Sequence, residues 1–198
     1  MYRKSGRTEM VIALEGLSCA GKTAVSEELS TRHSASITFI PEFVLNKQED
    51  ITTELCMSND LAKSRISKSL FDTGKNAIMD RSHLSTLVYT YAESDKKFNI
   101  TQKWYKNAFE QGQILEPDLY VYLRIQAAKS LERASSVGRL NSKYAWYNNT
   151  AAAFNKYEEY FSNNNLSSPC HIIDVDNLEF YELINRLEKI MTQYMDIT

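Results

Sequence analysis

The segment Gly16-Leu17-Ser18-Cys19-Ala20-Gly21-Lys22-Thr23 has the spacing G-x-x-x-x-G-K-[ST], and its surroundings restrict what the chain can fold into. The apolar run Met10-Val11-Ile12-Ala13-Leu14 before it reads as a buried strand, and Ala24-Val25-Ser26-Glu27-Glu28-Leu29 after it reads as helix. Backbone N–H groups at such a strand–turn–helix junction converge on an anion, and the start of the helix adds partial positive charge. The segment from Gly16 to Thr23 is therefore expected to bind the phosphates of a nucleoside triphosphate. Lys22 would reach the β- and γ-phosphates, and the Thr23 hydroxyl would meet a Mg²⁺ ion carried with the nucleotide. A chance match in a glycine-containing turn is the other reading, and it leaves the flanking strand and helix unexplained.

With 198 residues the chain suits one domain, residues 1–198, with a sizeable core. Lys+Arg minus Asp+Glu is 23 − 25 = −2, so no bulk charge recruits nucleic acid or an acidic membrane surface. No apolar run approaches the roughly 18 residues of a membrane span. The basic start Met1–Glu9 is followed by an apolar stretch too short for the core of a signal peptide. Cys19, Cys56 and Cys170 are odd in number, widely spaced and without metal-ligand spacing, which points to a reduced cytoplasmic protein. Cys19 lies inside the phosphate loop, where it is either a small filler or a site of oxidation.

Apolar runs alternate with helical patterns along the chain. Ile37–Ile40, Ala77–Met79, Leu119–Leu123 and Ile172–Val175 read as further short strands. Thr52–Phe71, Leu84–Ala92, Thr101–Leu115, Ala127–Ala134, the aromatic-rich Tyr144–Phe161 and Leu178–Tyr194 read as helices. This alternation predicts an α/β three-layer sandwich: a five-stranded parallel sheet, right-handed crossovers, helices on both faces and ligands at the carboxyl ends of the strands. Trp146, Tyr147, Phe154, Tyr157, Tyr160 and Phe161 fall at near-helical spacing and read as core, with one of them able to face a substrate.

Three further groups of residues carry candidate chemistry. Asp80, at the end of the third strand, is placed to hold the Mg²⁺ shell beside Thr23; the plainer role is a helix cap. Arg81 next to it can clamp a phosphate or the reacting group of the acceptor. Glu42, in Pro41-Glu42-Phe43-Val44 after the second strand, faces any acceptor from the same sheet edge and can take a hydroxyl proton; otherwise it is a solvated surface acid. Arg133 and Arg139 lie in a basic stretch that continues to Lys143, read as a flap over about 133–146. Cations on such a flap neutralise charge on a transferring phosphoryl group and closure excludes water, whereas an exposed helix end would leave them merely solvated. His83 follows the Asp-Arg-Ser turn and can approach the acceptor; His33 and His171 read as surface or structural residues. No His/Cys/Asp cluster has metal-ligand spacing, so Mg²⁺ with ATP is the only metal expected.

At this point the chain resembles the thymidylate kinase family, within the P-loop nucleoside and nucleotide kinases. Leu14-Glu15-Gly16 through Gly21-Lys22-Thr23, Asp80-Arg81-Ser82-His83-Leu84-Ser85-Thr86-Leu87-Val88-Tyr89 and Pro117-Asp118-Leu119-Tyr120-Val121-Tyr122-Leu123 are similar to that family's segments, in the same order. The resemblance implies strand order 2-3-1-4-5, ATP·Mg²⁺ as donor, a nucleoside monophosphate as acceptor, and often a homodimer. It also implies Arg133 at the nucleotide and Arg65, Arg81 and Tyr89 at the acceptor, beside Glu42.

The acceptor side departs from the family. The arginine of an Arg-Glu-Pro-Gly-Gly type segment is missing at Pro41-Glu42-Phe43-Val44, and the helix that normally brings an arginine to thymine offers Lys63 and Arg65. Glu42-Phe43-Val44, Asp80-Arg81-Ser82, Tyr122-Leu123-Arg124 with Glu132-Arg133, and Ser64-Arg65-Ile66 are similar to segments of deoxynucleoside kinases. The competing expectations are a deoxynucleoside kinase, a kinase of a non-nucleotide specialised metabolite, and an ATP-binding regulatory switch without turnover.

Overall fold

The computed structural model describes residues 8–45, 51–141, 149–163 and 166–195. Five parallel strands form one sheet: β1 (Val11–Glu15), β2 (Ile37–Ile40), β3 (Asn76–Asp80), β4 (Leu119–Arg124) and β5 (Cys170–Asp174). Their order is β2-β3-β1-β4-β5, as the resemblance implies. The central strand β1 is buried along its whole length, which is why it reads as an unbroken apolar run and not as an alternation. Its register pairs Leu14 with Asp80 on one side and with Val121 on the other.

The helices are α1 (Lys22–Arg32), α2 (Thr53–Phe71), α3 (His83–Glu93), α4 (Asp95–Glu110), α5 (Ala127–Ser136), α6 (Thr150–Ser162) and α7 (Phe180–Met191). One layer brings α1 against α7; the other gathers α2, α4 and α6 around α3. Helix α7 buries Leu183, Ile184, Leu187 and Met191, a stripe at helical spacing that seals the first layer. Where sequence reading expects the fourth helix to begin at Thr101, α4 begins at Asp95. Ser94 ends α3 in an extended conformation and its hydroxyl accepts from Lys97 N at 3.2 Å, starting a new helix with no loop between.

The aromatic stretch packs as core in its described part. Tyr157 and Phe161 of α6 stack on Tyr122 of β4, with ring centroids 5.4 and 4.7 Å apart. Trp146 and Tyr147 lie outside the described residues. Because every strand runs the same way, the phosphate loop, Glu42, Asp80 and Arg81 all emerge along one edge of the sheet.

Candidate active site

The turn after β1 requires glycine at its first position. Gly16 has φ +136°, and a Cβ there would lie 2.4 Å from the Leu123 carbonyl oxygen of the neighbouring strand. Cys19 adopts φ 59° inside the loop and Gly21 caps α1 at φ 97°, so the loop curls back over the helix start. Lys22 folds along its own loop: its ammonium donates to Gly16 O at 3.1 Å and Leu17 O at 2.8 Å. Burial, reinforced by the nearby Arg81 cation, pulls its pKa from the usual 10.5 down to about 8. Thr23 donates to Asp80 Oδ2 at 2.5 Å, while Asp80 Oδ1 is buried without a hydrogen-bond partner. A hydroxyl and a carboxylate oxygen with an unused lone pair, at the mouth of a phosphate loop, match the hard oxygen ligands that Mg²⁺ takes.

Arg81 joins the two halves of the site. It is non-glycine in the left-handed region, φ 64°, a costly conformation that the surroundings must enforce. The enforcement is visible. Lys63 of α2, fully buried, donates to Asp80 O at 2.6 Å and to Arg81 O at 2.7 Å, pinning the turn from below. Burial lowers the Lys63 pKa, against the pull of Asp60 and Asp80. The Arg81 guanidinium donates to Gly16 O at 2.9 Å, to Ser85 Oγ at 3.2 Å and to Tyr157 OH at 3.4 Å. Its carbon lies 5.4 Å over the Tyr89 ring. Arg81 Nε stands 2.8 Å from Glu42 Oε1, an ion-pair distance without the alignment of a good N–H···O bond. Glu42 and Arg81 therefore share one wall of the site.

Glu15, the last residue of β1, supports this arrangement from inside. Its Oε1 accepts from Ser82 N (2.7 Å) and Ser82 Oγ (2.6 Å), and its Oε2 from Ser85 Oγ (2.6 Å) and Tyr157 OH (3.2 Å). Burial raises its pKa, and the serine hydroxyls and Arg81 pull the other way. Asn59 does the same for the Glu42 loop. Its amide donates to Glu42 O at 2.7 Å and its oxygen accepts from Val44 N at 2.9 Å. Sequence reading missed Glu15, Asn59 and Asp60 as site residues; the available signal was polar side chains on the buried face of α2, at Asn59, Asp60 and Lys63.

Between these walls lies an open cleft, lined by Glu42, Arg81, Asn59, Asp60, Lys63 and Thr86 among others. Two expected residues are not brought to it. Arg65 is exposed on α2 and does not line the cleft, because the helix turns Lys63 and Ser64 inward. His83 is buried against Phe109 (4.8 Å) and Tyr105 (5.5 Å), and burial drives its pKa to about 3, so it is a neutral packing residue. Tyr89 does not line the cleft, and its ring lies beneath the Arg81 guanidinium. His33 pairs with Glu188 and His171 with Tyr194, both away from the sheet edge.

Arg133 sits in the last turn of α5, and its guanidinium donates to Val175 O at 2.8 Å, Asp176 O at 3.0 Å and Cys19 O at 3.3 Å. Arg139 lies in a 3₁₀ turn (Arg139–Asn141), its Nη1 3.9 Å from Cys19 Sγ. Both arginines thus flank the phosphate loop. The stretch expected as a flap begins inside α5, and residues 142–148, with Lys143, lie outside the described residues.

The family model described as thymidylate kinase matches residues 14–184, which span the phosphate loop, both walls of the cleft and the sheet edge. The chain belongs to the thymidylate kinase family. It is an ATP-dependent nucleoside or nucleotide kinase, a phosphotransferase. Among solved structures, thymidylate kinase from Candida albicans superposes with a TM-score of 0.71 at 19% identity, covering 94% of this chain and 92% of that one. Deoxyadenosine kinase from M. mycoides, with products dCMP and dCDP, gives 0.70 at 19%, covering 93% and 100%. The same kinase with dATP gives 0.67 at 18%, covering 93% and 100%. At these identities the likeness is one of fold. No curated protein matches this family member in sequence. Among the described residues, no helix is long and apolar enough to cross a membrane, and no group of three or more His, Cys, Asp or Glu side chains could hold a metal by itself.

Proposed function

We propose that this kinase transfers the γ-phosphoryl group of ATP to a hydroxyl of a nucleoside, with Glu42 receiving the proton. The observation that carries this reading is the 2.8 Å approach of Arg81 Nε to Glu42 Oε1 on the cleft wall. A monophosphate acceptor brings about two negative charges and needs several cations. Among the described residues lining the cleft there are two cations. Lys63 spends its ammonium on backbone carbonyls, and Arg81 already faces a carboxylate. A neutral hydroxyl suits Glu42 directly. A monophosphate is the second reading, favoured by the family to which the chain belongs.

In the reaction, the acceptor oxygen attacks the γ-phosphorus as the bond to the ADP oxygen breaks, and the hydroxyl proton passes to Glu42. Arg81 neutralises charge on the transferring group, and Lys22 leaves its carbonyl partners for the β- and γ-phosphates. Thr23 and Asp80 are the residues that would hold Mg²⁺, which supplies charge neutralisation between the phosphates. Parallel assays with nucleosides and their 5′-monophosphates test the acceptor. Turnover of nucleosides is expected; turnover of monophosphates alone overturns it, and silence on both series points to a specialised metabolite or to a switch.

Arg133 and Arg139 complete the proposal as cations beside the donor phosphates, on a single domain whose segment from Arg133 to Asn141 closes over ATP. Supporting this, Gly138 has φ +70° with open space around it, and both arginines touch Cys19. Backbone amide exchange in the stretch from Val137 to Asn141 is expected to slow at least several-fold when a non-hydrolysable ATP analogue binds. Equal exchange with and without the analogue would argue for a static helix end. A cytoplasmic homodimer also belongs to this reading, supported by the three free cysteines and by the family.

A further inference from the structure

Resting on the nucleoside reading above and deepening it, we infer that Asp60 selects acceptors whose base carries an exocyclic amino group. Asp60 lies on the buried face of α2, 8% exposed, and lines the acceptor cleft. Both of its hydrogen bonds reach the same oxygen. Tyr105 OH donates to Oδ2 at 2.6 Å and Thr86 Oγ1 donates to it at 2.9 Å. Among the described residues no hydrogen bond reaches Oδ1. Unlike Asp80 Oδ1, it is not sealed from solvent, which leaves it open to the cleft. A carboxylate oxygen only accepts, so the group that completes it must donate a proton.

The direction of the cleft decides which part of the acceptor that is. Arg81 ties one end to the phosphate loop through Gly16 O and carries Glu42 beside it. Asp60 ties the other end to α3 and α4 through Thr86 and Tyr105. A nucleoside whose hydroxyl meets Glu42 at the first end extends its base toward the second. An amino group there satisfies Oδ1. A carbonyl oxygen in the same place sets acceptor against acceptor, with the carboxylate desolvated and unpaired, and sites built this way reject the wrong partner strongly. The charged groups around Asp60 are Lys63, on its own helix, and Glu42 and Arg81 across the cleft. Burial raises the Asp60 pKa, and Lys63 and the two hydroxyls that donate to Oδ2 oppose that rise.

Matched pairs that differ in this one group provide the test: deoxyadenosine against deoxyinosine, and deoxycytidine against deoxyuridine. Wild-type kcat/KM is expected to favour the amino member by on the order of 10²-fold in at least one pair. Asp60→Asn keeps an oxygen for Tyr105 and Thr86 and turns an N–H₂ donor into the cleft, so the preference should vanish or reverse, with KM for ATP unchanged. A wild-type enzyme that phosphorylates both members of each pair alike overturns the inference without any variant. A loss in Asp60→Asn that is equal for all bases also overturns it and assigns the carboxylate to the sugar or to packing. In either case nucleosides are still phosphorylated and the reading of the acceptor class stands. Failure to phosphorylate any nucleoside instead removes that reading and this inference together.

Discussion

Replacing Lys22 by methionine is expected to lower kcat/KM by roughly 10³-fold, about 4 kcal/mol of transition-state stabilisation, while the protein stays folded. The cation is one of the few that can follow negative charge onto the transferring phosphoryl, and catalysis of this transfer is mostly such neutralisation. Stability should move the other way. The folded Lys22 titrates near 8 and the unfolded one near 10.5, so between those values the unfolded chain binds the extra proton. Stability of the unliganded protein therefore rises with pH across that window, and below about pH 8 the buried charge is a full penalty. The methionine variant lacks this slope and should melt no lower than wild type at neutral pH, as thermal unfolding at two pH values will read. Because phosphates favour the charged ammonium, ATP binding should weaken as pH rises above about 8. Near-normal turnover in the variant would remove the phosphate-loop assignment.

Glu42→Gln is expected to reduce kcat for nucleosides by about 10² to 10³-fold with little change in acceptor KM. The amide keeps the size of the side chain and loses the base. The variant also frees Arg81 from its carboxylate neighbour and removes a negative charge from the cleft wall. Affinity for a nucleoside monophosphate should then rise even as nucleoside turnover falls, measured by inhibition with the monophosphate. An unchanged kcat would show that Glu42 only positions the acceptor or Arg81. The enzyme would then need no protein base, as a loose transition state permits.

Much of the fold was legible because its signals are local. Each strand is a short apolar run, and several helix starts carry a glycine or a cap such as Gly21, Thr52 or Ser94. The break between α3 and α4 was blurred, since a single extended serine leaves no composition of a loop. On the donor side, Gly16 to Thr23 and Asp80 are contiguous or strand-end residues, so the motif and the parallel sheet together place them. Of the residues that line the cleft, Glu42, Arg81 and Lys63 were legible. Charge marks Arg65 as a candidate in the sequence, but helical phase turns it to solvent and puts Lys63 inside. His83 lies close to Asp80 in sequence, yet the first turn of α3 buries it against Phe109 and Tyr105.

The sequence by itself determined the class of fold, the phosphate loop and the chemistry available at the sheet edge, because these follow from periodicity and from residues adjacent in the chain. What only the tertiary structure decided is how side chains far apart in sequence divide their hydrogen bonds. Lys63 turns from a candidate ligand into a prop for the Asp80–Arg81 turn. Glu15, at the end of the central strand, organises Ser82, Ser85 and Tyr157. Asp60 keeps one oxygen for Tyr105 and Thr86 and leaves the other to the cleft. Such partitions depend on which donors the packing of separate helices brings within about 3 Å, and no local pattern encodes that.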